Sequence, residues 1–198
     1  MKSSVIALAT AAGLAAISLS AVAQEEHRQL KAHVHGHGTL NIAIEGKTVE
    51  MELEVPGADI VGFEHAAHTA GDKAALKKAK GSLAKPAGLF RLSPAARCRL
   101  VSAKVEIEGG DAHGHAHDGD KGKADNDHAH AGEMHHSEFH ATYRFTCASP
   151  ERLTVIGFDY FKAFAGARDL DVNISSPKGQ SKFEVTRDKP QLDLRSLM

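Results

Sequence analysis

Apolar side chains recur at every second position in several short runs, the spacing that gathers them on one face of a β-strand. In residues 38–44 (GTLNIAI), Leu40, Ile42 and Ile44 alternate with polar or small neighbours, and in 49–55 (VEMELEV) Val49, Met51, Leu53 and Val55 do the same. The intervening Glu45-Gly46-Lys47-Thr48 has the length and the glycine of a hairpin turn. Together they read as an antiparallel pair whose polar face carries Glu50, Glu52 and Glu54. Pro56 and Gly57 end the second strand. Residues 58–70 and the Ala/Lys-rich run 72–80 favour one or two helices, with Asp72 as a candidate cap and Gly81 as a candidate stop.

The same alternation returns in residues 97–107, through Val101, Ala103, Val105 and Ile107, and in 139–147, where Phe139, Ala141, Tyr143, Phe145 and Cys147 oppose His140, Thr142, Arg144 and Thr146. These two runs read as a long hairpin with Cys98 and Cys147 at its base. Further on, 153–158 reads as a strand and 160–164 as a short helical turn. Residues 170–175 and 181–186 read as a hairpin across Pro177-Lys178-Gly179. The predicted architecture is α+β: one domain over residues 24–198, mostly antiparallel sheet with a few short helices.

The tip of the long hairpin, residues 109–137, interrupts this pattern. It is a low-complexity stretch, mainly Gly, Ala, His and Asp with some Lys, and it has too little apolar surface to order itself. It is predicted to stay disordered without metal.

The chain starts with Lys2, an apolar run over 5–19 and Ala21-Val22-Ala23, the form of a secretory signal cleaved before Gln24. The apolar run is shorter than the ~20 residues that span a bilayer, so residues 1–23 read as a removable signal and the mature chain as a protein not inserted in the membrane. In the oxidising periplasm that this implies, the two cysteines are expected to form a disulfide. The formal net charge of −1 creates no basic field, and the chain has no Trp and only two Tyr, so nucleic acid is not an expected partner.

Histidine is the outlier: of 14, 13 lie between His33 and His140, in clusters. His33, His35 and His37 alternate along an extended segment, which would project all three imidazoles from one face. His65 and His68 stand three apart, next to Glu64, and a helical reading puts both on one face as candidates for a missing ligand. The loop holds His113, His115, His117, His128, His130, His135 and His136 among Asp111, Asp118, Asp120, Asp125, Asp127 and Glu133. His140 lies on the polar face of the strand leaving the loop.

Imidazole and carboxylate donors suit zinc first, with nickel and copper(II) behind it; three mature methionines and oxidised cysteines leave copper(I) without its soft ligands. Because the ligand is neutral imidazole, binding should weaken as pH falls through ~6.5. No nucleophile elbow, phosphate loop, dinucleotide fingerprint or HExxH motif occurs, so a binding protein is expected rather than an enzyme.

The runs HVHGHGTLNIAIEG at 33–46, PGADIVGFEH at 56–65 and HATYRFTC at 140–147 resemble the zinc-regulated ZrgA-type family, long catalogued as a domain of unknown function, over nearly the whole mature chain. The resemblance implies a periplasmic zinc-binding protein made under zinc limitation, with a variable histidine-rich insert. It also implies a link to zinc uptake through an inner-membrane transporter or its binding protein. The histidines it matches are His33, His35, His65 and His140. The alternatives are a nickel or copper(II) buffer for metal tolerance and an interaction module with incidental histidines.

Overall fold

A computed structural model describes residues 34–109 and 136–198; the signal segment, His33 and the loop histidines His113, His115, His117, His128, His130 and His135 lie outside the described residues. The first alternating runs form β1 (His37–Glu45) and β2 (Thr48–Pro56), paired antiparallel across a two-residue turn in which Gly46 takes the left-handed φ of +53°. The long hairpin is β4 (Cys98–Glu108) with β5 (Glu138–Cys147), and the last hairpin is β7 (Asp169–Ser176) with β8 (Gly179–Thr186). These six strands make one sheet in the order β4-β5-β2-β1-β7-β8.

One pairing in it is parallel. β1 lies beside β7 with Leu40 opposite Val172 and Asn41 opposite Asn173, whose side chains hydrogen-bond at 2.9 Å. A second, three-stranded sheet pairs β6 (Val155–Phe158) with β3 (Phe90–Leu92) and β9 (Gln191–Asp193). Neither β3 nor β9 carries an alternating pattern, because three residues are too short to show one.

The alternation of the large sheet resolves as expected. Leu40, Ile42, Met51, Leu53, Phe139, Tyr143 and Val172 are buried, and they pack with Phe90, Ile156, Phe158 and Tyr160 in a single core. The ring of Phe90 lies 6.0 Å from that of Tyr143, so the small sheet packs on the inner face of the large one. Its outer face carries Glu50, Glu52, Thr142 and Arg144 in solvent.

Three local readings are corrected. Val101 does not join Ala103, Val105 and Ile107 on the inner face: the register shifts between Leu100 and Ser102, and Val101 is 60 % exposed in the resulting bulge. Helix α2 (Ala70–Leu83) is capped by Thr69, with Asp72 as the third helical residue returning the bond in a capping box. Gly81 sits inside that helix, which ends at Leu83 with Ala84 as its C-cap. The Cys98–Cys147 disulfide forms at the base of the long hairpin, as read from the sequence.

Candidate metal centre

β2 ends at Pro56, and helix α1 (Gly57–Val61) follows at once, stopped by Gly62 in the left-handed region at φ +85°. This single turn of helix stands between two histidine-bearing segments and is bonded to both. The N–H of Gly57 donates to the carbonyl of Ser137 at 2.7 Å, which fastens the chain returning from the histidine-rich insert. Asp59 is 4 % exposed, and its Oδ1 accepts the N–H of Gly36 at 2.7 Å, which fastens the segment between His35 and His37. Burial raises the Asp59 carboxyl above its ordinary range, against the pull of the Gly36 bond.

Between these two fastenings lies Glu64, in the connection from α1 to α2. Its Oε1 accepts from Nε2 of His35 at 3.1 Å and its Oε2 from Nδ1 of His136 at 2.6 Å. The carboxylate is 13 % exposed, while the imidazoles of His35 and His136 are 64 % and 35 % exposed. One half-buried acid thus holds one imidazole from the N-terminal cluster and one from the insert.

The tautomers follow. A carboxylate only accepts, so His35 carries its proton on Nε2 and His136 on Nδ1. In the neutral rings the lone pairs are then on Nδ1 of His35 and Nε2 of His136, and neither nitrogen makes a hydrogen bond among the described residues. A histidine that gives one ring N–H to a carboxylate and offers the other nitrogen outward is the arrangement in which imidazoles ligate metal. Among the described residues, no three His, Cys, Asp or Glu side chains stand ready to hold one ion as they are placed.

His33 lies outside the described residues, and His35 and His37 do not share one face. β1 begins only at His37; Val34 to His37 closes a turn with Gly36 at φ +94°, so His35 leaves toward Glu64 while His37 Nδ1 reaches Asp169 on β7 at 2.5 Å. His65 and His68 are not on a helix either. Gly62 ends α1 and Thr69 starts α2, and the residues between are irregular. His65 stacks on Phe63 with ring centroids 4.6 Å apart, and both histidines lie close enough to Asp72 to lower its carboxyl, behind the larger effect of Thr69. The partner His35 meets is therefore Glu64, with neither His65 nor His68 in contact with it.

His140 projects from the outer face of β5. Its Nε2 lies 3.0 Å from Glu138 and 3.6 Å from Glu108, and its Nδ1 3.9 Å from Glu54. The bond to Glu138, aided by the charges of Glu108 and Glu54, holds the imidazolium form to higher pH than usual despite burial. Asp59, Glu138 and Glu108 were not legible as site residues: in sequence they are single acids on a helix and at two strand ends. The only signal for them was their closeness to segments that bear histidine.

A search of curated proteins returns no match to the chain. A family model described as ZrgA family zinc uptake protein matches residues 32–194, which takes in both strands of the long hairpin, Glu64 and every described histidine. The chain is thereby a member of the ZrgA family of zinc uptake proteins.

Proposed function

We infer that this chain is a periplasmic zinc-binding protein that captures zinc and supports its uptake, storing the ion or passing it to an inner-membrane transporter or its binding protein, without catalysing a reaction. The observation that carries this reading is Glu64, one carboxylate orienting His35 and His136 so that an accessible nitrogen of each faces outward. The family supports a role in zinc uptake. The signal-like N-terminus and the disulfide support an oxidising compartment.

In this reading the insert gathers zinc on its histidines and carboxylates, and His136, at its return to the fold, delivers the ion beside His35. Zinc held by neutral imidazole and carboxylate exchanges readily enough to be handed on, since both donors also accept protons. The ion is cargo.

The test is calorimetric titration with zinc of the mature chain and of a variant lacking residues 111–134, which spares His135 and His136. The intact chain is expected to take up several ions, and the shortened one to keep a subset. An intact chain that retains no zinc through dialysis at neutral pH overturns the reading.

A further inference from the structure

We propose that the free edge of β4 is a docking surface for a second copy of this chain, the two β4 strands pairing antiparallel about a two-fold axis at Val105. The inference uses the sheet edge and no metal ligand, so it stands or falls separately from the zinc reading.

β4 is an end strand of the large sheet, and among the described residues it pairs with β5 alone. Its far side therefore offers backbone N–H and carbonyl groups to a strand that comes alongside. Ala103, Val105 and Ile107 lie on the inner face, opposite Tyr143, Ala141 and Phe139 of β5. Those three on β5 are at most 1 % exposed, whereas the three on β4 are only half-buried, because β4 has a strand on one side only. A neighbouring strand of the same pattern would complete their cover.

Edge strands commonly prevent such pairing with an inward-pointing charge, a proline or a bulge. The bulge between Leu100 and Ser102 limits regular pairing to residues 102–108, and within that stretch the inner positions hold neither charge nor proline. The charges there, Lys104, Glu106 and Glu108, stand on the outer face, and they select the occupant. With Val105 opposite its own copy, Ala103 faces Ile107 of the partner, Lys104 faces Glu106 and Ser102 faces Glu108. Apolar meets apolar on the inner face, and the two-fold axis repeats the Lys104–Glu106 pair. Within one chain Lys104 already reaches Glu106 at 2.8 Å, so the dimer would close a set of four alternating charges.

The same residues disfavour the other registers. A slip of one residue sets the inner face of one strand against the outer face of the other. A slip of two opposes Lys104 to Lys104, or Glu106 to Glu106. The favoured register is self-complementary, as a closed two-fold interface requires. The opposite edge of the sheet, β8, has less left to cover: its inner Val185 is 1 % exposed, Lys182 is held by Asp171 of β7, and Thr186 is bridged to Lys189.

The experiment is sedimentation velocity of the mature chain over about a hundredfold range of concentration, with a chelator present so that no metal bridges two copies. The native chain is expected to pass from monomer to dimer. Lys104→Glu and Glu106→Lys each set like charges opposite one another at both repeats, and each should lower the association constant about tenfold or more. The double exchange restores opposite charges and should return association to within about threefold of native. The side chains of Lys104 and Glu106 are 67 % and 54 % exposed, so these variants should fold, and an unchanged amide spectrum verifies it. Lys182→Glu, on the other edge, should leave the dimer as it is. A native chain that stays monomeric throughout overturns the proposal. So does a dimer indifferent to the single reversals on β4, or a folded double exchange that does not recover.

Discussion

Gly36 gives its backbone N–H to Asp59 across 2.7 Å, so a nearly buried carboxylate on α1 sets the path of the chain between His35 and His37. Gly36 needs its positive φ for this turn, and a Cβ there would come within 2.9 Å of the Arg168 side chain. Asp59→Ala leaves the Gly36 N–H without its acceptor and should cost about 1–3 kcal/mol in urea denaturation. Asp59→Asn keeps an oxygen acceptor and removes a buried charge. Because burial raises the folded-state pKa, stability from this group is greatest at low pH and falls as pH rises through that value; the Asn variant should lose that dependence and be at least as stable at pH 7. An Asn variant as unstable as the Ala variant would count against the acceptor role.

Glu64→Gln replaces one of two accepting oxygens by an amide that donates, so it cannot hold His35 and His136 in their present tautomers. Zinc affinity of the folded body should drop by about tenfold to a hundredfold, the usual effect of losing an orienting carboxylate. Competition with a chelating dye, in the variant lacking residues 111–134, measures it. Equal affinity with and without Glu64 would remove the residue from the site.

His140 should titrate above the ordinary histidine range in metal-free protein, because Glu138, Glu108 and Glu54 favour its charged form. The raised folded-state pKa adds stability that is fully present below the ordinary value and is lost as pH rises through the folded one. Glu138→Gln should bring the midpoint down, since the Glu138 bond is the largest cause of the shift. Imidazole chemical shifts followed from pH 5 to 9, with chelator present, give both midpoints.

The Cys98–Cys147 bond joins residues separated by 49 positions and encloses the whole insert. Closing a loop of that size is worth about 4 kcal/mol in the chain-entropy model. Denaturation in urea with and without reductant should show a midpoint shift of that order. A shift near zero would mean that the β4–β5 pairing holds the insert closed unaided.

Gly57→Ala tests the other fastening of α1. A Cβ at this position would stand 2.1 Å from Ser137 Oγ and 2.9 Å from the carbonyl of Phe63, and the second contact is backbone. The start of β5 must then move away, carrying His136 from Glu64. Lower stability together with weaker zinc binding in the shortened chain is the expected pair of results. Lost stability with native affinity would show that His136 follows Glu64 without this contact.

Strand identity was legible where alternation ran for about six residues or more, as in β1, β2, β5 and β7, because one buried and one wetted face impose period two on the residue types. The break at Val101 was not, since a bulge inserts one residue without altering the kind of residues around it. The same limit applies at His35 and His37. Their spacing is that of a strand, but the left-handed Gly36 places a turn there, and two residues two apart in sequence point to Glu64 and to Asp169.

The chain by itself determined the stock of candidate donor side chains, the hairpins and the disulfide: these depend on residue type and on contacts between neighbouring runs, both written locally. Which histidine meets which carboxylate was decided by the tertiary structure alone. The parallel pairing of β1 with β7, the seating of α1 between two distant segments and the register of β2, β5 and β4 join positions up to about 130 residues apart. Such pairings are chosen by how the whole core packs, and no local pattern records that choice.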